Sequence, residues 1–294
     1  MHNITYKFYQ RNLTVLNEQE YQQYLQQVLD IYRPAINSPS HQVIFDREHN
    51  IVFATDLSAQ SVGFPNGNAL CGVSFKRASF DRYYEDEELQ KLFKDLSIES
   101  TRQSILDYSS KLIYLQQLVI THGKPVKFID MLPYNNQLVA YLTTYCPLFH
   151  PSGEVIAIHS ISIKTYILRF QGHLQDPNTT NSQSKPNHKA TCQFTTRELE
   201  ILFLLSNGAS QEQIAQILGI ARGTVSAIIT NQLCPKFSIP GANTKLLVRE
   251  AIDGGYYRQM PVSLWRPCLI VLNEELLDNI NFSQNSATDT QKNT

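Results

Sequence analysis

The sequence predicts an α+β domain followed by a smaller helical one. Three observations predict it. The N-terminal half reads as two β-prone runs, then helices, then three more β-prone runs. A polar stretch interrupts the chain at 171–191, and short capped helical runs follow it. A chain of 294 residues suffices for about two ordinary domains, and its 42% apolar share can fill a core in each.

The first element is an amphipathic helix. Tyr21, Tyr24, Leu25, Val28, Leu29 and Tyr32 recur at the spacing of one helical face, and Pro34 stops it. His41 to Phe45 and Ile51 to Phe53 form a β-hairpin across the polar turn Asp46 to Asn50. Arg82 to Glu88 begins a helical segment whose carboxylates, beside Tyr83 and Tyr84, suit a solvated helix start. A second helix runs from Ser97 to His122, with Ile105, Leu112, Ile113, Leu115 and Val119 as apolar positions and Gly123 as its stop. Pro125 to Met131, Leu138 to Leu148 and Glu154 to Lys164 complete a sheet of about five strands, the last two joined by the turn His150 to Gly153.

Gln171 to Thr191 offers almost nothing to a core and reads as an interdomain linker. Beyond it, Thr195 stands three residues before Glu198, so each side chain can satisfy a free backbone donor at a helix start. The helix ends near Asn207-Gly208. Ser210 and Gln213 repeat the arrangement before Ile214, Ala215, Ile217 and Leu218, and Gly219 closes that helix. A third helix leads through Val225 into Ile228 and Ile229. A short helix, a tight glycine-containing turn and another helix make a helix-turn-helix, whose second helix can enter a DNA major groove. Asn281 to Thr294 is polar throughout and reads as a disordered tail.

Composition narrows the function. With 25 Lys and Arg against 26 Asp and Glu, no global basic field draws the protein onto nucleic acid, and any such contact must be local. Cys71, Cys146, Cys192, Cys234 and Cys268 are scattered without a C-x-x-C pair, which excludes a disulfide framework and a zinc cage. His150 and His159 lack paired ligand spacing and read as solvent-facing or hydrogen-bonded. No metal or cofactor is implied. No apolar run approaches the roughly 20 residues of a membrane span, and the N-terminus lacks the pattern of a secretory signal, so a cytoplasmic protein without membrane contact is expected. There is no Gly-x-Ser-x-Gly elbow, phosphate loop or His-Glu-x-x-His helix; only Cys71 and Cys146 offer a nucleophile, and nothing around them activates a thiol. An enzyme is not expected.

Two parts of the chain resemble known families. The hairpin followed by helices, then the stretch from Pro147 into Ile156, is similar to the PAS sensor fold over residues 38–170. Phe-Thr-Thr-Arg-Glu-Leu-Glu-Ile-Leu from Phe194, the block from Gly208 to Ile220, Thr224-Val225 and the run from Asn243 to Gly255 follow the order and spacing of the LuxR-type DNA-binding domain, residues 193–257. The resemblance implies four helices, at about 196–206, 211–217, 222–233 and 243–253, with the third as recognition helix. Residues 1–37 then form an N-terminal helix region, 171–192 a linker, and 258–294 a C-terminal extension and tail. The implied function is a one-component transcriptional regulator. Its partners would be double-stranded DNA, a small-molecule ligand or protein partner of the sensor, and a second copy of the chain.

By that resemblance the DNA-facing residues are Arg222, Thr224, Val225, Ser226, Ala227, Thr230 and Lys236. Arg222 can reach a phosphate or a guanine edge, Thr224 and Ser226 phosphate oxygens, and Val225 a thymine methyl. Several positions depart from the family pattern: Ala221 replaces a usual Ser, Ile228 a His, Thr244 an Arg and Ser226 a frequent Lys. One extra residue falls between Asn231 and Lys236, where Pro235 is expected to end the helix early. From Gln193 to Tyr257, Arg197, Arg222, Lys236, Lys245 and Arg249 are balanced by Glu198, Glu200, Glu212, Glu250 and Asp253. A neutral domain is poorly equipped for phosphate-driven affinity. Either dimerisation supplies further contacts, with the Tyr21–Tyr32 face and the Leu247-Val248 helix as surfaces, or the helix-turn-helix binds a protein partner instead. Receiver chemistry is excluded because Asp46 lacks an acidic neighbour, and the single Trp265 argues against an acyl-homoserine-lactone pocket.

Overall fold

The computed structural model describes residues 16–76, 98–134, 137–168, 193–258 and 260–273. The Arg82–Glu88 stretch, the linker and the tail expected above lie outside these residues.

Helix α1, Glu18–Tyr32, starts on a capping box in which Asn17 and Glu20 satisfy each other's backbone N–H groups. A single 3₁₀ turn, Arg33–Ala35, carries Pro34 and ends it. Strands β1, His41–Asp46, and β2, Ile51–Ala54, pair antiparallel, and Asp46 Oδ1 fixes the turn by accepting from Asn50 N–H at 2.8 Å. Two short helices follow, α2 at Asp56–Gln60 and α3 at Gly67–Leu70. A Cβ at Gly67 would stand 2.0 Å from the Ala54 carbonyl oxygen, so only glycine lets α3 begin against the end of β2. Helix α4, Ile98–His122, stops at Gly123, which takes φ 61° and donates to the Val119 carbonyl at 2.9 Å. Strands β3, Val126–Tyr134, β4, Gln137–Phe149, and β5, Val155–Thr165, follow where the sequence places its three later β-prone runs.

The C-terminal helices are α5, Thr196–Ser206; α6, Gln211–Leu218; α7, Arg222–Ile228; α8, Cys234–Lys236; and α9, Thr244–Asp253. A π turn, Ile229–Leu233, joins α7 to α8. The chain then returns as β6, Cys268–Val271.

The sheet has six antiparallel strands in the order β2-β1-β5-β4-β3-β6. Its first five have the PAS-like order, with the helices between β2 and β3. The sixth corrects the expectation of five strands and of a mere extension after residue 257. Cys268-Leu269-Ile270-Val271 is too short to show an alternating pattern, and its β-prone character is realised only because β3 offers it an open edge. Among the described residues no helix is long and apolar enough to cross a membrane.

Two compact units emerge. In the first, α1 packs on β1, β2 and β5: Tyr21 and Leu25 are buried with Ile44, Phe53, Ile156 and Ala157, and Tyr24, Val28, Leu29 and Tyr32 are partly covered by the same cluster. The Arg47 guanidinium lies 3.9 Å from the centre of the Tyr21 ring and pairs with Glu18. The aromatic face of α1 is thus committed within its own chain.

The second unit holds α4 as far as Lys111, β3, the first half of β4, and all elements from α5 onward. Ile129, Met131, Leu138 and Ala140 of the strands join Ile201 to Leu205 of α5, Leu247 of α9 and Ile270 of β6 in one buried cluster. Leu247 is fully buried, which removes it as the dimer surface expected of α9. The sequence boundaries at 170 and 193 separate these strands from the helices, yet packing joins them in one core.

Candidate nucleic-acid interface

Two capping boxes build the helix-turn-helix as the sequence required. Thr195 and Glu198 close the start of α5, and Ser210 and Gln213 that of α6. Gly219 ends α6 in the left-handed region at φ 65°, where a Cβ would be strained. Helix α7 begins on Ala221, whose backbone has the extended geometry of an N-cap but whose side chain offers no acceptor. Ala221→Ser is therefore expected to stabilise the protein by about 1 kcal/mol, read as a higher melting temperature.

The recognition helix presents Arg222, Thr224, Ser226 and Ala227 outward, all exposed, with Thr230 half-buried. Asn231 and Gln232 continue the exposed surface. The resemblance points to the first turns of the helix and does not single them out, although exposed amides are well suited to reading adenine edges. Two expected contacts need correction. Val225 is fully buried beside Ile229 and Leu233, so its methyls hold the helix on its neighbours and cannot meet a thymine. Lys236 is turned inward: its Nζ lies 2.7 Å from Glu198 Oε2 and donates to the Gln193 carbonyl at 2.9 Å.

That pair sets the electrostatics at the base of the helix. Burial alone works to raise the Glu198 carboxyl, but Lys236 together with the Thr195 N–H and hydroxyl outweighs it and holds the group below its usual range. Arg197 is likewise engaged, 2.9 Å from Glu200. Arg222, Lys245 and Arg249 are the exposed cations of the domain.

Pro235 does not end the helix. It sits in the first turn of α8, directly after the π turn. A π turn accommodates one additional residue per turn and spares the steric conflict between a proline ring and the carbonyl four residues back. The extra residue is absorbed there, and Ile229, Leu233 and Cys234 all remain buried.

The sensor half carries a different polar feature. Gln116 of α4 is fully buried, and its Oε1 lies 2.9 Å from Nδ1 of the buried His49, while its Nε2 has no partner. Burial pushes the His49 ring down, favouring the neutral imidazole, against the opposing Gln116 bond. His159 bonds Gln42 at 3.0 Å and His150 bonds Ser152 at 2.9 Å. Among the described residues no group of three His, Cys, Asp or Glu could hold a metal ion.

Residues 192–236 match the family described as bacterial regulatory proteins, luxR family. No curated protein matches the chain. Among solved structures, the Vibrio cholerae VqmA dimer in the absence of target DNA is similar at 19% identity and a TM-score of 0.45, covering 84% of this chain and 96% of that one. A phage VqmA–DPO complex is similar at 20% identity and 0.42, covering 86% and 97%. The PAS domain of Bordetella pertussis BvgS matches 48% of this chain and 88% of its own length, at 15% identity and 0.33. Residues 192–236 are thus similar to a LuxR-type helix-turn-helix, and the strand order of the preceding sheet is PAS-like.

Proposed function

We propose that this protein is a DNA-binding transcriptional regulator, cytoplasmic and without enzymatic activity, in which the PAS-like sheet governs the LuxR-type helix-turn-helix. One observation carries the reading. Helix α7 buries Val225 and turns Arg222, Thr224, Ser226 and Ala227 outward, so its anchoring and its exposed polar face are separate. The exposed side chains can donate to phosphate and to base edges, and Thr230, Asn231 and Gln232 extend that face. A second copy would supply the other half-site, which a domain with so few exposed cations needs.

Binding should depend weakly on salt, with roughly two or three counterions released per protomer. Ser226→Glu puts a negative charge where a phosphate would approach, at an exposed position that the fold does not need. The expected result in a mobility-shift titration on genomic fragments is loss of binding by Ser226→Glu and Arg222→Ala, with unchanged circular dichroism and melting temperature. Binding that survives both substitutions would assign this face to a protein partner, the reading favoured by the domain's balanced charge. On the sensor side, the PAS-like sheet would take a small ligand or a protein partner.

A further inference from the structure

The segment from Met260 to Asn273 has two attachments. Met260, Leu264, Trp265 and Ile270 belong to the buried cluster of the helix-turn-helix, and β6 pairs with β3 from Phe128↔Val271 to Met131↔Cys268. An edge strand leaves one row of backbone groups in need of partners. Here a side chain of α6 supplies them at Val271: its N–H donates to Gln216 Oε1 at 2.8 Å, and Gln216 Nε2 donates to its carbonyl at 3.2 Å. The amide of Gln216 thus takes the place of a seventh strand. On the other edge, Leu272 N–H donates to the Lys127 carbonyl at 2.9 Å, and Lys127 N–H to Asn273 Oδ1 at 2.7 Å.

The docked arrangement also carries polar costs. The indole N–H of Trp265 is buried without an acceptor. Asp130, the register partner of Leu269, is half-buried with Tyr108 as its hydrogen-bond donor at 2.7 Å. Both groups would be better solvated with the segment displaced. A four-residue strand, closed on its outer side by one glutamine and burdened by such groups, belongs among the least protected parts of a sheet.

We infer that β6 is a reversible clasp: it leaves and rejoins β3 while the helix-turn-helix stays folded, and its pairing with β3 and Gln216 fixes where those helices sit on the β3–β4 strands. Because Arg222, Thr224 and Ser226 are exposed with the clasp closed, it positions the recognition helix and does not cover it. The inference holds whether that helix reads DNA or a protein.

Amide hydrogen exchange of the full chain, resolved by mass spectrometry, tests it. In the unaltered protein the amides of Lys127, Ile129 and Met131, which face β6, and of Cys268, Ile270 and Leu272, which face β3, should exchange at least about tenfold faster than those of 201–205 in α5, without global unfolding. Gln216→Ala removes both outer bonds and should accelerate the two strands by roughly a further tenfold while leaving α5 unchanged. Exchange of β3, β6 and α5 at one common rate in the unaltered protein would overturn the clasp. So would a Gln216→Ala variant that stays folded and leaves both strands as protected as before.

Discussion

Lys236→Met should cost about 3 kcal/mol of stability, most of it from the carboxylate left behind. Glu198 is 2% exposed, and without Lys236 it keeps only the Thr195 N–H at 2.7 Å and hydroxyl at 3.0 Å. The pH dependence follows from the direction of its shift. Because the folded protein holds the Glu198 carboxyl below its ordinary value, the stabilisation is present above that value and is lost as pH falls through the depressed one. The gap between the unaltered protein and Lys236→Met should therefore be widest near neutrality and close under acid, measured by urea unfolding across pH. Glu198→Gln in the Lys236→Met background should recover part of the loss, since it removes the unpaired charge. No recovery would place the cost in packing against Phe194, whose ring centre lies 5.3 Å from Nζ.

Asp130→Asn should act in the opposite sense. Desolvation pushes the Asp130 carboxyl up from 3.8 to about 7, against the lowering effect of the Tyr108 bond. The folded state thus favours the protonated acid, and the contribution is full below about pH 4 and is lost as pH rises towards 7. Asparagine keeps an oxygen for the Tyr108 hydroxyl and carries no charge. The variant should gain on the order of 3 kcal/mol over the unaltered protein at pH 8 and little at pH 4, read from melting or urea curves. A constant difference across that range would show that Asp130 titrates normally.

The sequence was legible where a local rule decides the structure. The capping boxes at Thr195 and Ser210, the stops at Gly123 and Gly219 and the β1–β2 hairpin all depend on neighbouring residues, and each appears where expected. It was less legible where a distant partner decides. Nothing beside Cys268 to Val271 announces a strand, because its partner β3 and its glutamine cap are far away in the chain. At the interface helical phase decides: the first two turns of α7 are not one surface, and spacing from Ile229 and Leu233 assigns Val225 to the buried side. Lys236 could not be placed from sequence at all, since its partner Glu198 lies 38 residues earlier.

The closing strand also sets an order of events during synthesis. Lys127 N–H meets Asn273 Oδ1 across 146 positions, so β3 emerges from the ribosome long before the segment that will cover its edge. Through that interval β3, paired only with β4, presents one open edge along Phe128 to Met131, the kind of edge that pairs with other chains. Final closure waits for residues 268–273, and the long separation from β3 makes it a slow step. Chains that terminate before residue 268 would leave this edge permanently open, and self-association through strand pairing is the hazard they would face.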